Sequence, residues 1–149
     1  MKSRKLFVIL MILALCLSIP AQAAAQRTTL TERQDLASRV VTLVNAARSR
    51  QGLSTLRVDP ELARAARVRA QEIARVFSHT RPDGRRWSTV SASAFAENIA
   101  RGQRTADKVV AAWMSSRTGH RENILRPSYG SIGVCAVSQW GYSHSQQRR

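Results

Sequence analysis

The sequence predicts an α+β domain in which helices pack over a small antiparallel sheet. Apolar residues recur with helical spacing in three stretches, and the segment SIGVCAVSQW alternates with apolar residues on both faces, as a covered strand does. No internal repeat, low-complexity tract or shift of composition marks a second domain, and 149 residues are about one domain's worth of chain.

The first stretch of the chain reads as a processing signal rather than as part of the fold. MKSRK is a basic start, LFVILMILALCLSIP an apolar run of signal-peptide length, and AQAAAQ has small residues where a signal peptidase reads. Residues 1–25 are therefore expected to be a signal peptide cleaved after Ala23 or Ala25, and the protein to be exported, either extracellular or periplasmic. The competing reading is an uncleaved anchor, because Leu6 to Ala25 approaches the roughly 20 residues that span a bilayer. Pro20 and the small-residue end favour removal. Cys16 leaves with the leader, so Cys135 stands alone and no disulfide within the chain can staple the exported domain. Core burial has to stabilise it instead.

Residues 26–35 form a lead-in, in which Thr31 and Gln34 have the spacing of a capping box. The domain proper is expected over 36–142. Leu36, Val40, Leu43, Val44 and Ala47 fall on one stripe of a first helix, which Gly52 ends. Asp59 followed by Pro60 is a strong helix start, and ELARAARVRAQEIARVF carries Leu62, Ala65, Ala66, Ile73 and Val76 on one face with Arg64, Arg67 and Arg75 opposite. Arg69 is the misfit, projecting toward the apolar side, where an arginine ordinarily reaches along its stem to the rim. From Ser78 to Ser93 the period breaks, with Pro82, Asp83 and Gly84 in turn order. Thr105 opens a third helix that points Val109, Ala112 and Trp113 inward. A short helical turn follows in HRENIL, and Pro127 forbids its continuation. In the strand, Ile132, Val134 and Ala136 share one face, Cys135 and Val137 the other. Residues 143–149 are a polar, basic tail with no apolar side chain, and His144 within it is expected to be inert.

Charge is the strongest compositional signal. Loss of Lys2, Arg4 and Lys5 with the leader leaves 21 of the 24 basic side chains against 9 acidic ones, a formal charge of +12, and all but Lys108 are arginine. Such a surface favours anionic partners such as lipid headgroups, envelope polymers or nucleic acid, or else reflects arginine-rich coding on a solvated face. No specific nucleic-acid site is visible, because the aromatics that would interleave with the arginines on a single-strand platform are missing.

Chemistry concentrates near helix ends. His79 lies just beyond the second helix, His120 just beyond the third, and Glu97 falls between them in FAENIARG. Two imidazoles and a carboxylate are the ligand set of some catalytic zinc sites, yet 41 residues separate the histidines and there is no HExxH. Taken alone, each histidine reads more readily as a hydrogen-bonded cap residue near a helix C-terminus than as a member of a shared site.

The ordered strings LVNAARSRQGLSTLRVDPELARAARVRAQEIARVFSHTRPDG, AENIARG, VVAAWMSS and GHRENILRPSYGSIGV resemble the bacterial branch of the CAP superfamily, the SCP-like extracellular domain of cysteine-rich secretory, antigen 5 and pathogenesis-related proteins. The resemblance covers about Leu36 to Val137. It implies an α-β-α sandwich, secretion, and a cleft of two histidines and two acids that in some members holds a divalent cation, zinc being the first expectation here. His79 matches the first cleft histidine, Glu97 the family's glutamate in its GEN element, and His120 the second histidine. Where many eukaryotic members have a second glutamate, this chain has Ser116, a poor replacement for a carboxylate ligand, so a metal held by His79, His120 and Glu97 is expected to be weakly bound. Glu122 and Asp83 are poor stand-ins: one is turned elsewhere in a helical turn, the other occupied with its own backbone in a PDG turn. The family's closing strand is short or missing, because SQWGYSHSQQRR follows Val137 and only Trp140 and Tyr142 could supply an edge strand.

Three functions compete. The first is a binding module whose cleft takes a lipid, peptide or envelope component, which suits the resemblance. The second is a metal- or water-dependent hydrolase using His79, His120 and Glu97. The reading leans away from an enzyme, since no dependable nucleophile accompanies the histidines and the ligand set lacks an acid. The third is binding of anionic polymers through the arginine-rich surface, which would be salt-sensitive.

Overall fold

Four helices and four very short strands follow one another in the computed structural model, which describes residues 30–139. The order is β1 (Leu30–Glu32), α1 (Gln34–Ser49), β2 (Arg57–Val58), α2 (Pro60–Arg75), a 3₁₀ turn (Trp87–Val90), α3 (Ala106–Ser115), α4 (His120–Leu125), β3 (Ser131–Ile132) and β4 (Val137–Gln139). The expected signal peptide, Trp140, Tyr142 and the polar tail with His144 lie outside the described residues.

Each helix start has a local cause. The Asp59 carboxylate accepts from the Leu62 N–H at 2.9 Å with Pro60 in the first turn, and the Thr105 hydroxyl accepts from the Lys108 N–H at 3.3 Å. Gly119 turns the chain into α4 at φ 97°, a left-handed conformation that glycine adopts without a Cβ clash. α1 departs from the capping-box expectation. Thr31 belongs to β1, the helix begins after Arg33 with no side-chain cap, and Arg33 instead pairs with Asp35 of the first turn at 2.6 Å. That carboxylate sits where the helix dipole favours negative charge.

α1, α3 and α4 pack against one another as one layer, while α2 touches β3 and β4 from the other side. Val40, Val44, Ala47, Leu56, Ala106, Val110 and Ile124 form the buried centre of the first layer, with Ile132 and Val134 of the strand segment laid against it. The strands therefore lie between helices, as an α-β-α arrangement requires. Two inward expectations fail: Ala112 is exposed while its neighbour Val110 is buried, and Val76 is 58% exposed because α2 has ended at Arg75.

The sheet differs from the expected antiparallel one. β1 pairs antiparallel with β4, Thr31 opposite Ser138, but β2 pairs parallel with β3, Val58 opposite Ile132. The long connection through α2, α3 and α4 permits the parallel pairing, which no tight turn could make. The single predicted strand is split, with 133–136 outside either ladder. Gly133 explains how closely this segment presses on α2: a Cβ there would lie 2.1 Å from the Leu62 carbonyl carbon.

Arg48, wholly buried, ties the first layer together. Its Nε donates to the Ser54 carbonyl at 2.8 Å, Nη1 to Ile124 at 2.7 Å and Arg126 at 3.0 Å, and Nη2 to Tyr129 at 3.1 Å. The cation thus closes the C-terminal end of α4, where exposed carbonyls favour positive charge. Burial holds its pKa below the ordinary arginine value.

Candidate functional site

Arg69 is the organising residue of the site, and the expectation that it reaches to the rim is corrected by its surroundings. It is 5% exposed. The guanidinium grips Glu97 with two bonds, Nε to Oε2 at 2.6 Å and Nη2 to Oε1 at 3.2 Å; Nη1 donates to Glu72, and Nη2 also donates to the Ser78 carbonyl at 2.7 Å. Burial acts to lower its pKa, but the hydrogen bonds to Glu97 and then Glu72 outweigh it, so the cation is held above its ordinary value. Glu72 is shared with Arg81, whose Nη2 lies 2.8 Å from its Oε1. Burial would raise the Glu72 pKa, and the hydrogen bonds from Arg81 and then Arg69 outweigh burial and lower it. α2, the loop after it and the segment around Glu97 are thereby fastened by one buried ion network.

His79 joins this network from solvent. Its Nδ1 lies 2.8 Å from Glu97 Oε1, with the ring 49% exposed and the carboxylate 9% exposed. His79 backbone is fixed as well, its carbonyl accepting from the Trp87 N–H at 3.1 Å. With Nδ1 engaged, Nε2 is the nitrogen left to meet a ligand.

His120 attaches to the next residue along. Asn98 Nδ2 donates to the His120 carbonyl at 2.9 Å and Asn123 Nδ2 donates to Asn98 Oδ1 at 2.9 Å, so the side chain of Asn98 locks α4 against the Glu97 segment. His120 Nδ1 lies 3.0 Å from the Ser116 hydroxyl, which also bonds Thr118. Trp113 holds the same segment to α3, its Nε1 donating to the Ile99 carbonyl at 3.2 Å. The dipeptide Glu97–Asn98 is thus the common anchor: its carboxylate takes one histidine, its amide the other.

Four of the four cleft residues expected from sequence are therefore engaged, but as two pairs, His79 with Glu97 and His120 with Ser116. Among the described residues no three His, Cys, Asp or Glu side chains gather as a metal-ligand group. A zinc ion would want three protein donors, and both oxygens of Glu97 already meet the Arg69 guanidinium. The residues fit a resident metal poorly. Asp83 stays outside the site, accepting from its own Arg85 backbone at 3.0 Å and held at about 2 by the Arg85 side chain. Glu122 is exposed. Sequence reasoning missed Asn98, Asn123, Glu72 and Arg81; an arginine on the apolar face of α2 was the one local sign that buried acids must meet it.

Beside the network a cavity of about 790 Å³ opens between the two helix layers. Leu62, Ile73, Val109, Trp87 and Trp113 supply apolar wall, and Arg69, Glu97 and Asn98 supply a polar one. Its size is that of pockets that enclose small ligands.

Residues 41–145 match the CAP family, described as the cysteine-rich secretory protein family. The chain belongs to that family. It is 38% identical over 126 residues to the Bacillus subtilis protein YkwD, in an alignment covering 77% of this chain and 49% of that one. The chain thus spans about half the length of this relative. Among solved structures, it resembles an extracellular SCP-domain protein of Bacillus anthracis with TM-score 0.61 and 25% identity, covering 68% of this chain and 37% of the other. An outer surface protein of Borrelia burgdorferi shares the fold at TM-score 0.60 and 20% identity, covering 71% of this chain and 84% of the other.

Proposed function

We propose that this CAP-domain protein is an exported binding module that holds a lipid, peptide or other envelope component in the cavity walled by Arg69, Glu97 and Asn98, with His79, His120 and Ser116 attached behind Glu97–Asn98, outside the cavity lining. The observation that carries the reading is the cavity of about 790 Å³ with the Arg69–Glu97 pair in its wall. Its remaining walls are mostly apolar, so an apolar body is taken out of water while a polar end meets a fixed, charge-balanced rim. Exported localisation rests on the apolar leader, and the relatives from Bacillus anthracis and Borrelia burgdorferi are described as extracellular and outer-surface proteins. Extraction of the purified protein followed by mass spectrometry tests the reading: a bound amphiphile or peptide that is lost from a His79→Ala, His120→Ala double variant of unchanged helix content supports it. An empty extract, together with no binding of any envelope fraction, refutes it. Zinc titration of the same variants tests the expectation that His79, His120 and Glu97 hold a divalent ion.

One contact favours the hydrolase alternative. Ser116 Oγ, 3.0 Å from His120 Nδ1, is a hydroxyl in reach of a base. A serine-directed phosphonate that labels Ser116, and fails to label the His120→Ala variant, would establish that chemistry. Binding of anionic polymers through the arginines is separated from both by its salt dependence and its indifference to the histidines.

A further inference from the structure

The segment from Gly130 to Val137 borders the cavity along its whole length, and the pattern of its hydrogen bonds shows which of its edges is unpaired among the described residues. The carbonyls that are bonded, Gly130 to Arg57, Ile132 to Asp59 and Ala136 to Arg33, are all even-numbered. Backbone groups of an extended strand alternate between its two edges, so β2 and β1 lie along the same edge, one after the other. Gly133 and Cys135 face the other edge, and among the described residues their backbone N–H and C=O groups have no partner. The cavity is bounded by Val40, Val44 and Val109 of the α1–α3 layer on one side and by Leu62, Ala66 and Ile73 of α2 on the other. It therefore lies at the level of the sheet, beside an unpaired edge, with apolar walls above and below.

The ten residues after Gln139 do not have the composition such walls call for. They read WGYSHSQQRR, and a strand returning through Tyr142 would present His144, Gln146 and Arg148 to one wall and Ser143, Ser145, Gln147 and Arg149 to the other. Polar and charged side chains buried against apolar walls without partners oppose folding. A strand covered on both faces is a run of consecutive apolar residues.

We propose that the open edge at Gly133 and Cys135 receives an extended apolar segment of another polypeptide, added to the sheet as a strand that fills the cavity. Main-chain hydrogen bonds to the edge hold it, and consecutive aliphatic side chains enter the two walls, the mode of strand addition. The inference rests on the binding-module reading and narrows its ligand to a polypeptide.

The test uses a soluble peptide carrying Val-Ile-Val-Ile-Val between glutamate pairs, and a twin N-methylated at alternate residues that keeps the side chains but loses the main-chain donors. Trp87 and Trp113, both in the cavity wall, report binding by fluorescence. Amide exchange at Gly133 and Cys135 reports pairing. The expected result is binding of the first peptide, at least about tenfold weaker binding of its twin, and slowed exchange at both amides. Equal binding of the two peptides, or binding that leaves the amides unprotected, overturns strand addition and leaves the binding module standing, as does binding of a long-chain fatty acid alone. Amides protected before any addition also overturn it: protection independent of protein concentration assigns the edge to a segment of this chain, and protection that rises with concentration to a second copy. No response to either peptide or to the fatty acid overturns both readings.

Discussion

Replacing Arg48 by methionine isolates the contribution of a buried cation that has no buried anion beside it. Methionine keeps most of the side chain's length and apolar stem, so the cavity term is small. What is lost is the set of four donations to the carbonyls of Ser54, Ile124, Arg126 and Tyr129. Hydrogen bonds from a charged donor contribute about 1.5–3 kcal/mol each, but they share one guanidinium and do not add. Burying the cation also costs free energy that the variant no longer bears, and the depressed pKa of Arg48 reflects that cost. Against this, the carbonyls are backbone and stay in place, so the substitution strands acceptors rather than removing a matched pair. The expected net loss is about 3–5 kcal/mol, because several carbonyls are stranded at about 1–3 kcal/mol each while the cost of burying the cation is regained. In a domain of this size that corresponds to a fall in Tm of roughly 10–25 °C. Urea or thermal unfolding followed by circular dichroism measures it. A lysine variant keeps the charge but lacks the planar fork, and is expected to lie between methionine and the native residue. A methionine variant within about 1 kcal/mol of the native protein would refute the argument that the four carbonyls need the guanidinium.

Gly133→Ala is expected to destabilise by more than about 3 kcal/mol, above the usual overpacking range, because its Cβ meets α2 backbone at 2.1 Å and no flexible side chain can yield; a thermal melt close to native would contradict this. Glu72 is stabilised as a carboxylate, so its contribution is complete above its unfolded pKa near 4.5 and is lost as pH falls through the lower folded value. Glu72→Gln should therefore lower stability at pH 7 and flatten its decline below pH 4.5, as read from unfolding midpoints across that range. Burial raises the Cys135 thiol above its ordinary value. Iodoacetamide at neutral pH should accordingly label it at least about tenfold more slowly in the folded protein than in urea, and equal rates would show the thiol to be freely exposed.

How far these features can be read from the sequence depends on the range of the interaction behind them. α2 and α3 are legible because their signals are local: Asp59 and Pro60, or Thr105, act within three residues of where they stand. β1 and β2 are not, because two or three residues carry no periodicity, and each exists only through a partner more than seventy residues away, Val137–Gln139 or Ser131–Ile132. Thr31 shows the conflict directly, since its spacing to Gln34 suits a helix cap while pairing with Ser138 draws it into a strand.

The site divides along the same line. His79, Glu97 and His120 stand out as chemical types in motif-like strings, but the pairing of His79 with Glu97 and of His120 with Ser116, and the part of Asn98, depend on contacts made only in the fold. Arg69 is legible only as an anomaly. Its meaning depends on Glu97, 28 residues on, returning beside α2, and on the chain turning after α2 ends at Arg75 so that the Ser78 carbonyl faces the guanidinium. Once Arg69 is buried there, the electrostatics of the cleft change: the charge opposite Glu97 is a side chain already in the fold, and a ligand meets a balanced pair rather than a bare carboxylate. Arg69→Met tests that step, because removing the guanidinium leaves Glu97 with only His79 beside it and Glu72 with only Arg81. Ligand affinity and stability should then fall together, whereas His79→Ala, at a side chain 49% exposed, should reduce affinity alone.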